Sequence, residues 1–198
     1  MHPALLIPLI GVLYILGFSA LSFIRRQGPS VQFIAEGIGL IIFFSVLSAA
    51  VIPVSPFIFF ISLYLFTMRV RLLIDLGNWF SSRKRYGRAL DLFHLALRLR
   101  PDTAGRQIAL INRGVTQLRM QEPEAAYFTL RGVLVEGNVQ PGAKYQAAGY
   151  YNLGLACRRT RRESEAVQHF NEAIAALPNS IYAYAATQAL KREGPDKP

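Results

Sequence analysis

Cysteine is almost missing from this 198-residue chain, and so is charge from its first third. The lone Cys157 excludes an internal disulfide and any metal site built from several cysteines. The three histidines, His2, His94 and His169, are far apart, with no HExxH pair and no Gly-rich phosphate loop. No catalytic residue, cofactor or metal ligand is expected from such a set. Between Pro3 and Met68 the ionisable side chains other than tyrosine are Arg25, Arg26 and Glu36. From Arg69 onward there are 20 Lys and Arg against 11 Asp and Glu, so nearly all of the net +10 lies in the last two-thirds. A chain divided in this way is solvated by lipid at one end and by water at the other.

Three apolar runs fill the uncharged part. Ala4 to Ile24 is 21 residues without a charge, about 30 Å as a helix, which matches the hydrocarbon core of a bilayer. It has no basic residue before it and no clean Ala-x-Ala after it, so it reads as a retained span and not a cleaved signal. Gly28-Pro29-Ser30 then makes a turn with Ser30 as N-cap for a second run, 31–52. Pro53 and Pro56 bracket another turn, and a third run follows over about 54–72. Basic residues gather at cytoplasmic ends of spans. Arg25-Arg26 and Arg69 with Arg71 fall on one side only if the chain crosses three times. This places the N-terminus outside and the C-terminal region in the cytoplasm. Glu36 lies inside the second span, where a structural ion pair with Arg25, Arg26, Arg69 or Arg71 is the favoured reading over an ion path. Ala35, Gly39, Ser45 and Ala49 set small residues near one side of the same helix, suiting close packing within the chain or against another subunit.

Beyond Arg69 the chain repeats itself. The clearest copy holds Tyr151, Leu153-Gly154, Ala166, Phe170, Ala173 and Pro178. An earlier copy holds Leu76-Gly77, Tyr86, Ala89, Phe93, Ala96 and Pro101, and a weaker middle one holds Gly114, Ala126, Leu130 and Val133. This resembles the tetratricopeptide repeat (TPR) pattern, whose period is 34 residues. Gly77 to Gly114 is 37 residues and Gly114 to Gly154 is 40, so extra residues fall in the junctions. Two helices approach closely only where side chains are small, which assigns Gly77, Gly114, Gly154, Ala89, Ala96, Ala126, Ala166 and Ala173 to helix contacts. The expected fold is all-α. A transmembrane region, 1–68, precedes a TPR solenoid, 70–192, with repeats at about 70–103, 107–140 and 147–180. A capping helix over 181–192 and a polar tail, 193–198, complete it.

The resemblance implies an interaction domain with a concave face lined by first helices. Asn78 and Asn112 occupy slots that grip a carboxylate in one version of the family, and Tyr151 shares that face. Ile74, Ala148 and Asn152 stand where that version has cations, which argues against binding of chaperone tails. Arg83, Lys84, Arg85 and Arg88, and Arg158, Arg159, Arg161 and Arg162, cluster at turns and suggest an acidic protein partner or anionic lipid. Nucleic acid is not expected, since no recognition motif accompanies the charge. The layout is similar to cyanobacterial and chloroplast photosystem I assembly proteins, which place three such repeats after a membrane anchor. That similarity implies an adaptor in a bacterial inner or other energy-transducing membrane, its spans contacting other membrane subunits. A transport or channel component with regulatory repeats is the alternative. The topology has a direct check: with Cys157 replaced by Ser, a probe cysteine in the 193–198 tail should resist an impermeant thiol reagent in intact cells. Labelling there would reverse the orientation.

Overall fold

A computed structural model describes residues 3–24 and 30–192. Among the described residues there are nine helices and no strand: α1 (Pro3–Ile24), α2 (Val31–Ala50), α3 (Pro56–Ser82), α4 (Tyr86–Arg98), α5 (Thr103–Arg119), α6 (Pro123–Leu134), α7 (Ala143–Arg159), α8 (Glu163–Ala176) and α9 (Ile181–Lys191). The chain forms two compact units that meet at Arg69 and Val70, inside α3.

In the first unit, α1, α2 and α3 are each long and apolar enough to cross a membrane. Their outward side chains are apolar too, with Phe23 77% and Phe57 70% exposed, a surface compatible with insertion into lipid and unfavourable in water. Ser30 caps α2 by accepting from the Phe33 N–H at 3.3 Å. The α2 helix stops at Ala50, short of the expected 52, and α3 begins at Pro56 instead of 54, because the two prolines deny the intervening backbone its helical hydrogen bonds. Inside this unit the close approach is made at other small residues. Gly11 faces Ile41, and a Cβ on Gly37 would stand 2.9 Å from Ile15, whereas Ala35, Gly39 and Ala49 are exposed. Tyr14, buried, shares a 2.7 Å hydrogen bond with Thr67 across the unit.

The second unit stacks three helix pairs and a final helix. In each pair the first helix offers a glycine to one large side chain of the second. A Cβ on Gly77 would lie 2.5 Å from Phe93, one on Gly114 2.6 Å from Leu130, and one on Gly154 2.7 Å from Phe170. Around these contacts Ala89, Ala96, Ala126, Ala166 and Ala173 are fully buried. Each pair is joined by the same turn. The second residue after the helix end takes a left-handed backbone, φ 60° at Lys84, 64° at Gln121 and 61° at Arg161. The next N–H then donates back five residues: Arg85 to the Phe80 carbonyl at 2.9 Å, Glu122 to Gln117 at 3.0 Å and Arg162 to Cys157 at 2.8 Å. This closes the orphan carbonyls of the helix end. A side chain at such a φ costs about 1 kcal/mol, offset here by the two hydrogen bonds of the motif.

The junction insertions are absorbed differently from the expected boundaries. The first helices of the second and third pairs start at Thr103 and Ala143, about one turn before 107 and 147. Asp102 caps α5 through the Gly105 N–H at 2.8 Å, which allows the early start. Ser180 caps α9 through the Ala183 N–H at 3.0 Å, and the buried Ala183, Ala186 and Ala189 seal the last pair. Gly154→Leu in the full chain should lower the stability of the array by about 1–3 kcal/mol or more, since overpacking displaces a buried ring. Circular dichroism melts would read this as a lower Tm, and an unchanged melt would remove Gly154 from the contact.

Candidate functional site

First helices of an array line one face, and here that face is a groove of about 660 Å³. Asn78 (α3), Asn112 (α5) and Tyr151 (α7) meet in it, together with Asn152. Asn112 and Asn152 occupy equivalent positions, two residues before their glycines. Each amide donates to the carbonyl four residues back, Asn112 to Ile108 at 3.0 Å and Asn152 to Ala148 at 2.7 Å. That bond fixes the amide on its own helix and leaves the rest of its hydrogen-bonding capacity for another group.

Of the cations in this groove, sequence reasoning singled out Arg159 but overlooked Arg119 and Lys144. They do not sit in the familiar slots, where Ile74 is 4% and Ala148 9% exposed and both pack inward. Arg119, Lys144 and Arg159 supply them instead. Arg119 and Arg159 are equivalent, five residues after their glycines, and that shared offset was the available signal. Tyr86, Tyr145 and Tyr182 add aromatic surface, and among the described residues no Asp or Glu lines the groove. The result is a concave surface of basic and aromatic side chains.

The two basic turns prove unlike. Arg83, Lys84, Arg85 and Arg88 are exposed, with the Arg83 guanidinium 5.0 Å from the centre of the Trp79 ring. At the other turn the arginines bind the array to itself. Arg159 donates to the Leu118 carbonyl at 3.0 Å, and in the preceding pair Arg119 donates to Ser81 at 3.1 Å. Arg162 lies 4.1 Å over the Tyr127 ring and pairs with Glu124 at 3.2 Å. Arg158 stacks on Phe170 at 4.8 Å and donates to the Ala189 carbonyl. Arg161, at its left-handed turn, makes no such contact across the array among the described residues.

In the first unit Glu36 receives a two-pronged ion pair from Arg69, at 2.6 and 2.7 Å, and a third bond from Gln32 at 2.8 Å. Arg25 and Arg26, the other partners considered, lie outside the described residues. Between the second and third helix pairs, Tyr127 of α6 donates to Glu165 of α8 at 2.9 Å, and burial, then Glu165, pushes its hydroxyl above the ordinary tyrosine range.

Comparison with known families supplies the classification. The tetratricopeptide repeat family model matches residues 147–180, the stretch from α7 through the close of α8. The chain carries a tetratricopeptide repeat. No curated protein matches it. The repeat supports a role in protein–protein interaction and suggests protein partners. Because the two basic turns are held so differently, Arg162→Glu should cost about 1–2 kcal/mol by setting a carboxylate against Glu124 and the Tyr127 ring. Arg83→Glu should stay within about 0.5 kcal/mol of wild type. Thermal melts of the two variants would show the difference, and equal shifts would contradict the packing role of Arg162.

Proposed function

We propose that this protein is a membrane-anchored TPR adaptor, an assembly factor or accessory subunit of a larger membrane complex, with its repeats in the cytoplasm. It holds a soluble protein by an acidic extended segment. The observation that carries this reading is the groove in which Asn78, Asn112 and Tyr151 are joined by Arg119, Lys144 and Arg159 with no opposing carboxylate among the described residues. Charge of one sign along a cleft steers an oppositely charged chain, and the tyrosines provide rigid surface to bury. The exposed turn at Arg83, Lys84, Arg85 and Arg88 offers a second contact for the same partner. The three apolar helices hold the adaptor in the bilayer and present lipid-facing surface to other membrane subunits. A binding role, and not catalysis, accords with a groove built from amides, cations and tyrosines.

The rival reading, a transport or channel component with Glu36 on its path, finds less support. That carboxylate is already held by Arg69 and Gln32, and a fully partnered carboxylate is poorly placed to exchange protons or ions.

Affinity purification of the full chain in mild detergent, with mass spectrometry of what is retained, tests the proposal. Lys144→Glu combined with Asn112→Ala should weaken capture of the soluble partner by about tenfold or more while leaving Tm unchanged. Wild-type capture should weaken as salt rises. Capture indifferent to the double variant would overturn the groove, and anionic vesicles competing fully for the protein would move its basic surface to lipid.

A further inference from the structure

Cys157, with no disulfide partner available and no place in the groove, ends up beside two other donors. Its sulfur, a ring nitrogen of His169 and a carboxylate oxygen of Glu165 all lie within 4.8 Å of one another. Glu165 and His169 are four residues apart on α8 and so share one helix face. Cys157 comes from α7 across the pair. The enclosure is close, with Cys157 0% and His169 6% exposed, while Glu165 is half-buried and forms the entry side.

Two features go beyond proximity. The Nδ1 of His169 is buried and finds no hydrogen-bond partner among the described residues, an unsatisfied polar atom of the kind that a ligand commonly explains. The other donors are supported from outside the cluster. Tyr127 donates to Glu165 at 2.9 Å, and Tyr150 stacks on the His169 ring with centroids 5.9 Å apart. Outer partners of this type orient metal ligands.

We propose that Cys157, Glu165 and His169 form a binding site for one zinc-like transition-metal dication, which clamps α7 to α8 within the repeat at 147–180. One sulfur, one nitrogen and one oxygen donor suit a borderline ion that accepts tetrahedral geometry, with water in the fourth position. Calcium and magnesium call for more oxygen donors than the cluster has. Arg131 and Arg162 flank Tyr127, and their positive charge favours the thiolate form of Cys157 over the thiol. Burial keeps the His169 imidazole below its usual pKa, in the neutral form that ligates. Burial also pushes the Cys157 thiol up to about 11, so the metal must displace that proton. The S–H bond breaks, the S–metal bond forms and the proton leaves to water, with no change of oxidation state.

Cobalt(II) titration of the chelator-treated full chain in detergent tests the site. One equivalent should produce a thiolate-to-cobalt charge-transfer band in the near ultraviolet, which zinc then removes, and either ion should raise Tm. Because Cys157 is the only cysteine, the band identifies its sulfur without any variant. Cys157→Ser and His169→Gln should abolish the band and weaken zinc binding at least tenfold, with Glu165→Gln weakening it as well. Absence of the band in the wild-type protein would refute the site. So would zinc affinity equal to wild type in Cys157→Ser and His169→Gln proteins that retain their far-ultraviolet circular dichroism. None of these readouts depends on the groove or its partner.

Discussion

The array depends on one contact made three times: a glycine on the first helix of a pair against a large side chain on the second. At Gly77 and Phe93, Gly114 and Leu130, and Gly154 and Phe170, the missing Cβ is what lets the helices close to the distance at which the neighbouring alanines bury completely. Leu130 performs for the middle pair what the phenylalanines do for the others, which explains why its sequence pattern is faint although its geometry is not. The shared left-handed turn follows from the same closeness, since helices so near require a short reversal.

Arginine then decides how the pairs meet one another. Arg119 reaches Ser81, and Arg159 reaches Leu118, each from the end of one first helix to the end of the previous one. The same guanidinium groups border the groove. Stacking of the repeats and the charge of the groove are therefore coupled, and an arginine there cannot be changed without touching the fold. Lys144 and the turn at Arg83 to Arg85 are exposed and lie apart from this coupling.

In the first unit a comparable economy applies to charge. Glu36, Arg69 and Gln32 satisfy one another through four side chain–side chain and side chain–backbone bonds that include the Phe66 carbonyl. An ionised pair in apolar surroundings is tolerable only when both members are bonded, because losing one leaves the other charge exposed to a medium that cannot solvate it.

Much of this was legible before any coordinates. The apolar runs with their flanking prolines and arginines, the Gly–Ala–aromatic spacing, and the Ser30 and Ser180 caps depend on local chemistry and short-range geometry, which sequence records directly. Asn78, Asn112 and Tyr151 were assignable to one face for the same reason, since a repeat carries its register with it. What only the tertiary structure decided involves residues distant in the chain. Gly11 and Gly37 make the close approach inside the first unit, because which face of an apolar helix turns inward is set by its neighbours and not by its own composition. Arg158, Arg159 and Arg162 read as free charge in a turn, yet Phe170, Leu118, Gln121 and Tyr127 are the groups they meet. Cys157, Glu165 and His169 likewise converge only after a turn folds α8 back on α7. Spacing along a chain describes one helix at a time, whereas partners across helices exist only once the helices have packed.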